Sequence, residues 1–283
     1  MSSTAPLILI GTMRSGTTWM GDVLSMHPGV AYWSEPRHVW SWGHAYRQHY
    51  RLDAEDATPR IIRHIRSVFH RYEARHEGRR IIEKTPSNCL RVPFIEAIFP
   101  DARYVLILRD GRAVIRSGRE RAERGIPVRR IVARTMQTPM WEWPASAPRA
   151  FSALESKLLG RSLSYWGPRP PGWCEWVRQG PRVVALAKIW AATIDTAVND
   201  LHRIDTSRVM TLRYETLICS PKAAFERLLD FAGLSRSDDM LAHAAQTVDP
   251  SRAEKWKQEF DAETLDLIRP HIEPTLATLG YEW

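Results

Sequence analysis

The chain has 283 residues, 44% of them hydrophobic and 25% charged, a composition that predicts a folded globular protein and excludes a largely disordered one. Its formal net charge of +8 favours an anionic ligand, and because the arginines are scattered rather than gathered in a long run, a small anion is favoured over DNA or RNA. Three isolated cysteines exclude a disulfide framework or a cysteine zinc site, and no apolar run is long enough for a transmembrane helix, so we expect a protein of the reducing cytoplasm without a membrane partner.

The first predicted element is a short buried strand, Leu7–Ile10, followed by a loop that reads Gly-Thr-Met-Arg-Ser-Gly-Thr-Thr from Gly11 to Thr18. The loop has the glycine spacing and final hydroxyl of the Walker A pattern G-x-x-x-x-G-K-[ST], but Thr17 stands in the place of the lysine. A strand, a glycine turn and a helix N-terminus still form an anion cradle, because unpaired N–H groups and the helix dipole face the ligand. The missing lysine removes one clamp on a nucleoside triphosphate, so the loop predicts a site for a different phosphate ester.

Beyond this loop, strands and helices alternate along the chain. The other predicted strands are Val30–Trp33, Arg80–Glu83, Tyr104–Leu108 and Val209–Leu212. The predicted helices are Thr17–Met26, Glu55–Arg75, Val92–Phe99, Arg112–Arg124, Val184–Leu201, Pro221–Phe231 and Ala262–Leu279. Residues 125–180 are dense in Trp and Pro and show no persistent period, so we expect an irregular insertion there.

This alternation predicts an α/β fold: a single domain over residues 1–283, built as a P-loop-like three-layer sandwich with a mainly parallel central sheet flanked by helices. Ligands of such sheets bind outside the carboxyl ends of the strands. Four polar clusters follow predicted strands, namely the glycine loop, Glu35, Lys84 and Arg109. The topology therefore predicts that these clusters meet at one edge of the sheet.

A second phosphate motif follows the strand Tyr104–Leu108. Arg109 lies directly after the strand, and Ser117 lies eight residues later, about two turns into the next helix. The planar guanidinium fork of arginine matches phosphate oxygens, and a nearby hydroxyl completes the cradle. Two separate phosphate sites indicate a nucleotide that carries phosphates at both ends of its ribose.

Together the two motifs resemble those of the sulfotransferases that use 3′-phosphoadenosine 5′-phosphosulfate (PAPS). In that family, a loop similar to the one formed here by Arg14, Ser15, Gly16, Thr17 and Thr18 holds the 5′-phosphosulfate. The family's second motif, which holds the 3′-phosphate, is similar to Arg109 and Ser117. The resemblance implies PAPS as co-substrate and 3′,5′-adenosine bisphosphate (PAP) as product.

Further segments extend the resemblance over most of the chain. His27-Pro28-Gly29-Val30 and Glu35-Pro36 resemble the Golgi carbohydrate sulfotransferases. Segments similar to the tyrosylprotein sulfotransferases are Tyr214-Glu215, Lys255-Trp256 and Leu279-Gly280-Tyr281. By this resemblance Tyr214 and Lys255 contact the nucleotide, although Glu254 stands where the family usually has Ser.

The resemblance also implies the chemistry of the site. Glu35 is the candidate base that removes the proton of the acceptor hydroxyl, while Lys84 and Arg14 stabilise charge on the leaving phosphate. A sulfuryl group carries less charge than a phosphoryl group, so no metal is expected. We expect a small-molecule or carbohydrate acceptor, for which the Trp-rich segment 125–180 is the candidate binding wall. The oligomeric state is not readable from the sequence.

Two other functions remain open at this point. The fold also suits a P-loop-type nucleotide kinase or NTPase, although the absent Walker lysine speaks against that function. A non-catalytic nucleotide-binding protein on the same fold is the other alternative, against which the intact Glu35 and Lys84 argue.

Overall fold

The computed structural model describes residues 5–123 and 167–283. Five strands form one parallel sheet in the order β2-β3-β1-β4-β5. The strands are β1 (Leu7–Ile10), β2 (Val30–Ser34), β3 (Arg80–Lys84), β4 (Arg103–Leu108) and β5 (Val209–Arg213). β1, β3 and β4 lie inside the sheet and are buried almost throughout; β1 and β4 are accordingly nearly unbroken apolar runs, whereas β3 also buries the charged residues Glu83 and Lys84.

Helices cover both faces of the sheet. In chain order they are α1 (Thr17–Leu24), α2 (Arg37–Trp40), α3 (Pro59–Arg75), α4 (Val92–Ile98), α5 (Gly111–Glu123), α6 (Trp173–Gln179), α7 (Arg182–Leu201), α8 (Tyr214–Cys219), α9 (Pro221–Ala232), α10 (Asp238–Thr247), α11 (Lys255–Glu259) and α12 (Ala262–Thr278). Short 3₁₀ helices lie at Ala54–Asp56, Pro86–Leu90, Thr206–Arg208 and Pro250–Arg252. No helix in the described ranges is both long and apolar enough to cross a membrane.

Alternate residues of β1 divide the core into two layers. Ile8 and Ile10 join a cluster with residues of α3, α4, α7 and α12, whereas Leu7 and Leu9 join a cluster with residues of α1, α9 and α10. A sheet packed on both faces by helices is the three-layer α/β sandwich, so the predicted fold class is confirmed.

The structure adds α2, α8, α10 and α11, which the sequence analysis did not predict, and two expected segments differ in form. The predicted helix over 55–75 is a 3₁₀ turn followed by α3, because Pro59 starts α3 and the hydroxyl of Thr58 caps it by accepting the N–H of Ile61.

The prediction of an irregular segment over 125–180 is wrong for Trp173–Gln179, which form α6; a helix of seven residues is too short for its period to be recognised. The indole of Trp173 donates to the carbonyl of Gln48 at 2.9 Å, and Arg169 lies over its ring. Residues 124–166, with the remainder of the predicted Trp-rich acceptor wall, lie outside the described residues.

Candidate active site

The glycine loop between β1 and α1 has the backbone geometry of an anion cradle. Arg14 and Gly16 both adopt left-handed conformations, with φ of 72° and 95°. Ser15 lies between them, and both its N–H and its hydroxyl donate to the carbonyl of Thr12, at 3.2 and 2.7 Å. No side chain of the described residues caps α1, so its first N–H groups are available to an anionic ligand, as the sequence predicts.

Tyr214 packs against this loop from the start of α8. A Cβ atom at Gly16 would lie 2.6 Å from two ring carbons of Tyr214, so this position requires glycine for space as well as for its positive φ. The guanidinium of Arg109 lies 4.1 Å from the centre of the same ring. The structure therefore joins Tyr214 to both predicted phosphate motifs; its contact with the nucleotide remains a prediction.

The two phosphate motifs touch directly. Arg109, at the end of β4, donates to the carbonyl of Arg14 at 2.6 Å and to the carbonyl of Arg252 at 2.5 Å. Ser117, buried on α5, accepts a hydrogen bond of 2.9 Å from Nε of Arg14. The sheet edge thus brings together the residues predicted to hold the 5′ and 3′ ends of the nucleotide.

The arginine side chains where the two phosphate motifs meet are positively charged and partly buried. Burial lowers the pKa of Arg109, and its Nε has no hydrogen-bond partner among the described residues. Desolvation, followed by the nearby charge of Arg109, also lowers the pKa of Arg14. The adjacent carboxylates are engaged elsewhere, since Asp110 pairs with Arg112 and Glu215 accepts the hydroxyl of Tyr281. A bound dianion would stabilise this arrangement.

Glu35 and Lys84 form the other half of the site. Lys84 ends β3, and its side chain is only 2% exposed; its ammonium donates to Oε1 of Glu35 at 3.0 Å and to the hydroxyl of Thr18 at 3.2 Å. The N–H of Glu35 donates to the carbonyl of Lys84 at 2.7 Å. The predicted base, the predicted cation and the last residue of the glycine loop are therefore in direct contact.

Arg37 is a site residue that the sequence analysis missed. Its guanidinium donates to Oε2 of Glu35 at 2.8 Å, so Lys84 and Arg37 hold the two carboxylate oxygens separately. The backbone of Glu35 has a φ of 55°. It bends sharply where the side chain contacts Arg37, two residues later. In the sequence, an arginine two residues after the candidate base, in Glu-Pro-Arg, was the feature that could have indicated this contact.

Lys255 lies less centrally than the other predicted residues. It is half-buried at the start of α11, three residues after Arg252, whose carbonyl accepts a hydrogen bond from Arg109. Its phosphate contact remains a prediction. No group of three or more His, Cys, Asp or Glu side chains placed to hold a metal ion occurs within residues 5–123 and 167–283.

Comparison with known proteins places this site in a family. A profile described as the Sulfotransferase family matches residues 6–157, more than half of the chain. The chain is 24% identical over 313 residues to protein-tyrosine sulfotransferase 2 of Gallus gallus, covering 99% of this chain and 71% of that protein. It is 24% identical over 251 residues to protein-tyrosine sulfotransferase A of Caenorhabditis elegans, covering 85% of this chain but only 53% of that protein.

A solved structure supports the same assignment at the level of the fold. A sulfotransferase domain from the curacin biosynthetic pathway is similar with a TM-score of 0.58 and 17% identity, over 99% of both chains. The chain therefore belongs to the sulfotransferase family, and its identification from the two phosphate motifs as a PAPS-dependent sulfotransferase is confirmed at the level of that family.

Proposed function

We propose that this chain transfers the sulfuryl group of PAPS to a hydroxyl group in a single in-line displacement. The observation that carries the proposal is the position of the Lys84 ammonium, which contacts Glu35 on one side and Thr18 of the glycine loop on the other. One buried cation thus links the group suited to receive the acceptor's proton with the loop suited to hold the donor.

The residues at the sheet edge fit PAPS on physical grounds. The uncapped start of α1 and the left-handed turn at Arg14 and Gly16 suit the 5′-phosphosulfate. Arg109 and Ser117 suit the 3′-phosphate, and the buried Nε of Arg109 that lacks a partner among the described residues is a donor still available to it.

In the proposed step, the acceptor oxygen forms a bond to sulfur while the bond between sulfur and the bridging phosphate oxygen breaks. The acceptor's proton passes to the carboxylate of Glu35, and the electron pair of the broken bond stays on the departing PAP. Lys84 and Arg14 stabilise the negative charge that grows on that phosphate, and no metal is part of this step.

We propose a phenolic hydroxyl as the acceptor. The named relatives are protein-tyrosine sulfotransferases, and the similarity to the first of them extends over 99% of this chain. The carboxylate of Glu35 already binds two cations, which weaken it as a base. A more acidic acceptor hydroxyl therefore suits it better. A phenol, with a pKa of about 10, releases its proton more readily than an aliphatic alcohol does.

A small-molecule or carbohydrate alcohol is the second candidate, supported by the His27-Pro28 and Glu35-Pro36 segments. The structure weakens the first of these two supports. His27 is only 3% exposed, its ring contacts the carbonyl of Ser235 at 2.8 Å, and it accepts the N–H of Gly29. These contacts give His27 a packing role in the turn before β2 rather than a place at an acceptor.

A transfer assay with labelled PAPS tests both parts of the proposal. We expect label on simple phenols or tyrosine peptides and little on saccharides or aliphatic alcohols. Labelled saccharide alone would overturn the phenolic acceptor while preserving sulfuryl transfer. Calorimetry supplies the test against a P-loop kinase or NTPase, because tight binding of ATP–Mg²⁺ without binding of PAP would contradict the proposal. Turnover in EDTA tests the expected independence from metal.

A further inference from the structure

Glu83 is a fully buried carboxylate that takes no part in the proposed chemistry. It lies on β3 directly before Lys84 and is 0% exposed. Its two oxygens accept hydrogen bonds of 2.6 Å from the hydroxyl of Thr85 and from the amide of Asn88. Burying a carboxylate inside a sheet is costly, and apolar residues of similar size often stabilise such positions at least as well. Stability alone is therefore a weak explanation for an acid at this position.

The hydrogen bonds of Glu83 fix the chain immediately after the catalytic lysine. Thr85 directly precedes the 3₁₀ helix Pro86–Leu90 and Asn88 lies within it, and the N–H of Asn88 donates to the carbonyl of Thr85 at 2.9 Å. The carboxylate thus links Thr85 and Asn88 to the strand that carries Lys84. The backbone on either side of Lys84 is therefore held in place.

That backbone positions both members of the catalytic pair. The carbonyl of Lys84 accepts the N–H of Glu35, and the Lys84 ammonium binds the Glu35 carboxylate. A displacement of the end of β3 would move the ammonium and the base together, away from Thr18. Misplacement by about 1 Å can cost about a hundredfold in rate.

We propose that Glu83 is a positioning residue for sulfuryl transfer, whose ionised carboxylate holds the Thr85–Asn88 turn so that Lys84 and Glu35 meet at the glycine loop. This inference rests on the proposed function of Lys84 and Glu35. Glu83 does not touch the reacting atoms, because successive side chains of a strand point to opposite faces and that of Lys84 points to the site.

The groups around Glu83 decide its charge. Burial raises its pKa to about 7, while the hydrogen bond from Thr85 and the nearby indole of Trp40 on α2 lower it. The charges of Arg91, after the 3₁₀ helix, and of Lys84 on its own strand also lower it. Arg91 is itself buried, and this desolvation lowers its pKa to about 10. Keeping Glu83 ionised therefore lowers the stability of the fold. If its role is positioning, removing the charge should lower kcat without lowering Tm, whereas a structural role would lower both.

Glu83→Gln is the decisive variant. The fold can accommodate it, because Oδ1 of Asn88 is buried with no partner among the described residues, and a rotated amide would present it to the new glutamine N–H. At about pH 8 we expect an unchanged or higher Tm, PAP affinity within about threefold of wild type, and kcat reduced by about tenfold or more. Glu83→Asp, which restores the charge, should recover part of kcat. Glu73→Gln, which changes another buried glutamate near the end of α3 that has no part in the proposed site, is the matched control and should leave kcat unchanged.

The pH profile adds a readout that packing alone would not move. The wild-type kcat should rise with pH around 7, and this rise should be absent in Glu83→Gln. Equal kcat values and identical profiles in wild type and Glu83→Gln would overturn the proposal, as would a fall in Tm and kcat together that Glu83→Asp does not reverse. If Glu83→Gln fails to fold, Thr85→Val removes one of the two hydrogen bonds and should lower kcat in the same way. A wild type that transfers no sulfuryl group would instead refute the proposed function.

Discussion

Gly16 carries the sharpest prediction, because one methyl group there perturbs both phosphate motifs. The residue has a φ of 95°, and a left-handed conformation costs an L-residue about 1–2 kcal/mol. The new Cβ would also lie 2.6 Å from the ring of Tyr214, which is 5% exposed and packed under Arg109, so the ring has little room to move. Such overpacking costs a further ~1–3 kcal/mol.

We therefore expect Gly16→Ala to weaken PAP binding by at least about 2 kcal/mol, or roughly 30-fold in Kd. Isothermal titration calorimetry with PAP measures this change directly. Gly78→Ala is the matched control, since Gly78 has a similar φ of 73° but no atom of the described residues lies within 4 Å of the position that a Cβ would take there, so this variant should lose stability without weakening PAP binding. Wild-type PAP affinity in Gly16→Ala would refute both the close packing of Tyr214 and the location of the nucleotide site.

Three further predictions concern Arg109, Cys89 and Glu83. Arg109→Lys loses the fork that binds the carbonyls of Arg14 and Arg252, so calorimetry should show PAP binding about tenfold weaker, with a smaller change for adenosine 5′-phosphosulfate, which lacks the 3′-phosphate; equal losses for both ligands would contradict the 3′-phosphate assignment. Burial raises the pKa of Cys89 to about 12, so alkylation near neutral pH followed by mass spectrometry should modify the exposed Cys219 and spare Cys89, whereas rapid labelling of Cys89 in the folded protein would contradict its burial. Because burial raises the pKa of Glu83 from 4.5 to about 7, the folded state retains a proton that the unfolded chain releases, and the free energy of unfolding should fall as pH rises through this window; urea titrations in which Glu83→Gln shows the same fall as wild type would assign the effect to another group.

The sheet edge could be predicted from sequence because its determinants are local. The inner strands β1 and β4 read as apolar runs because they are buried on both faces, and glycine or polar residues follow directly after Ile10, Trp33 and Leu108. Parallel pairing then brings the ends of these strands to one edge without further information. Glu35, Lys84 and Arg109 were found in this way.

The contacts within the site could not be predicted, because they depend on side-chain directions that only the folded chain fixes. The hydrogen bond from Arg14 to Ser117 joins residues 103 positions apart, and Arg37 reaches Glu35 across a backbone turn with positive φ. Glu83 reads in sequence as an ordinary charged residue at a strand end; only its complete burial and its two short hydrogen bonds distinguish it.

The central claim is that Glu35 removes the acceptor's proton while the rest of the site binds the donor. A single-turnover assay of labelled sulfuryl transfer from PAPS, run on wild type and Glu35→Ala with PAP affinity measured on the same preparations, tests it most directly. The proposed mechanism predicts transfer by the wild type, a loss of transfer in Glu35→Ala by at least about a hundredfold, and PAP binding retained by both proteins. Near-normal transfer by Glu35→Ala would contradict it.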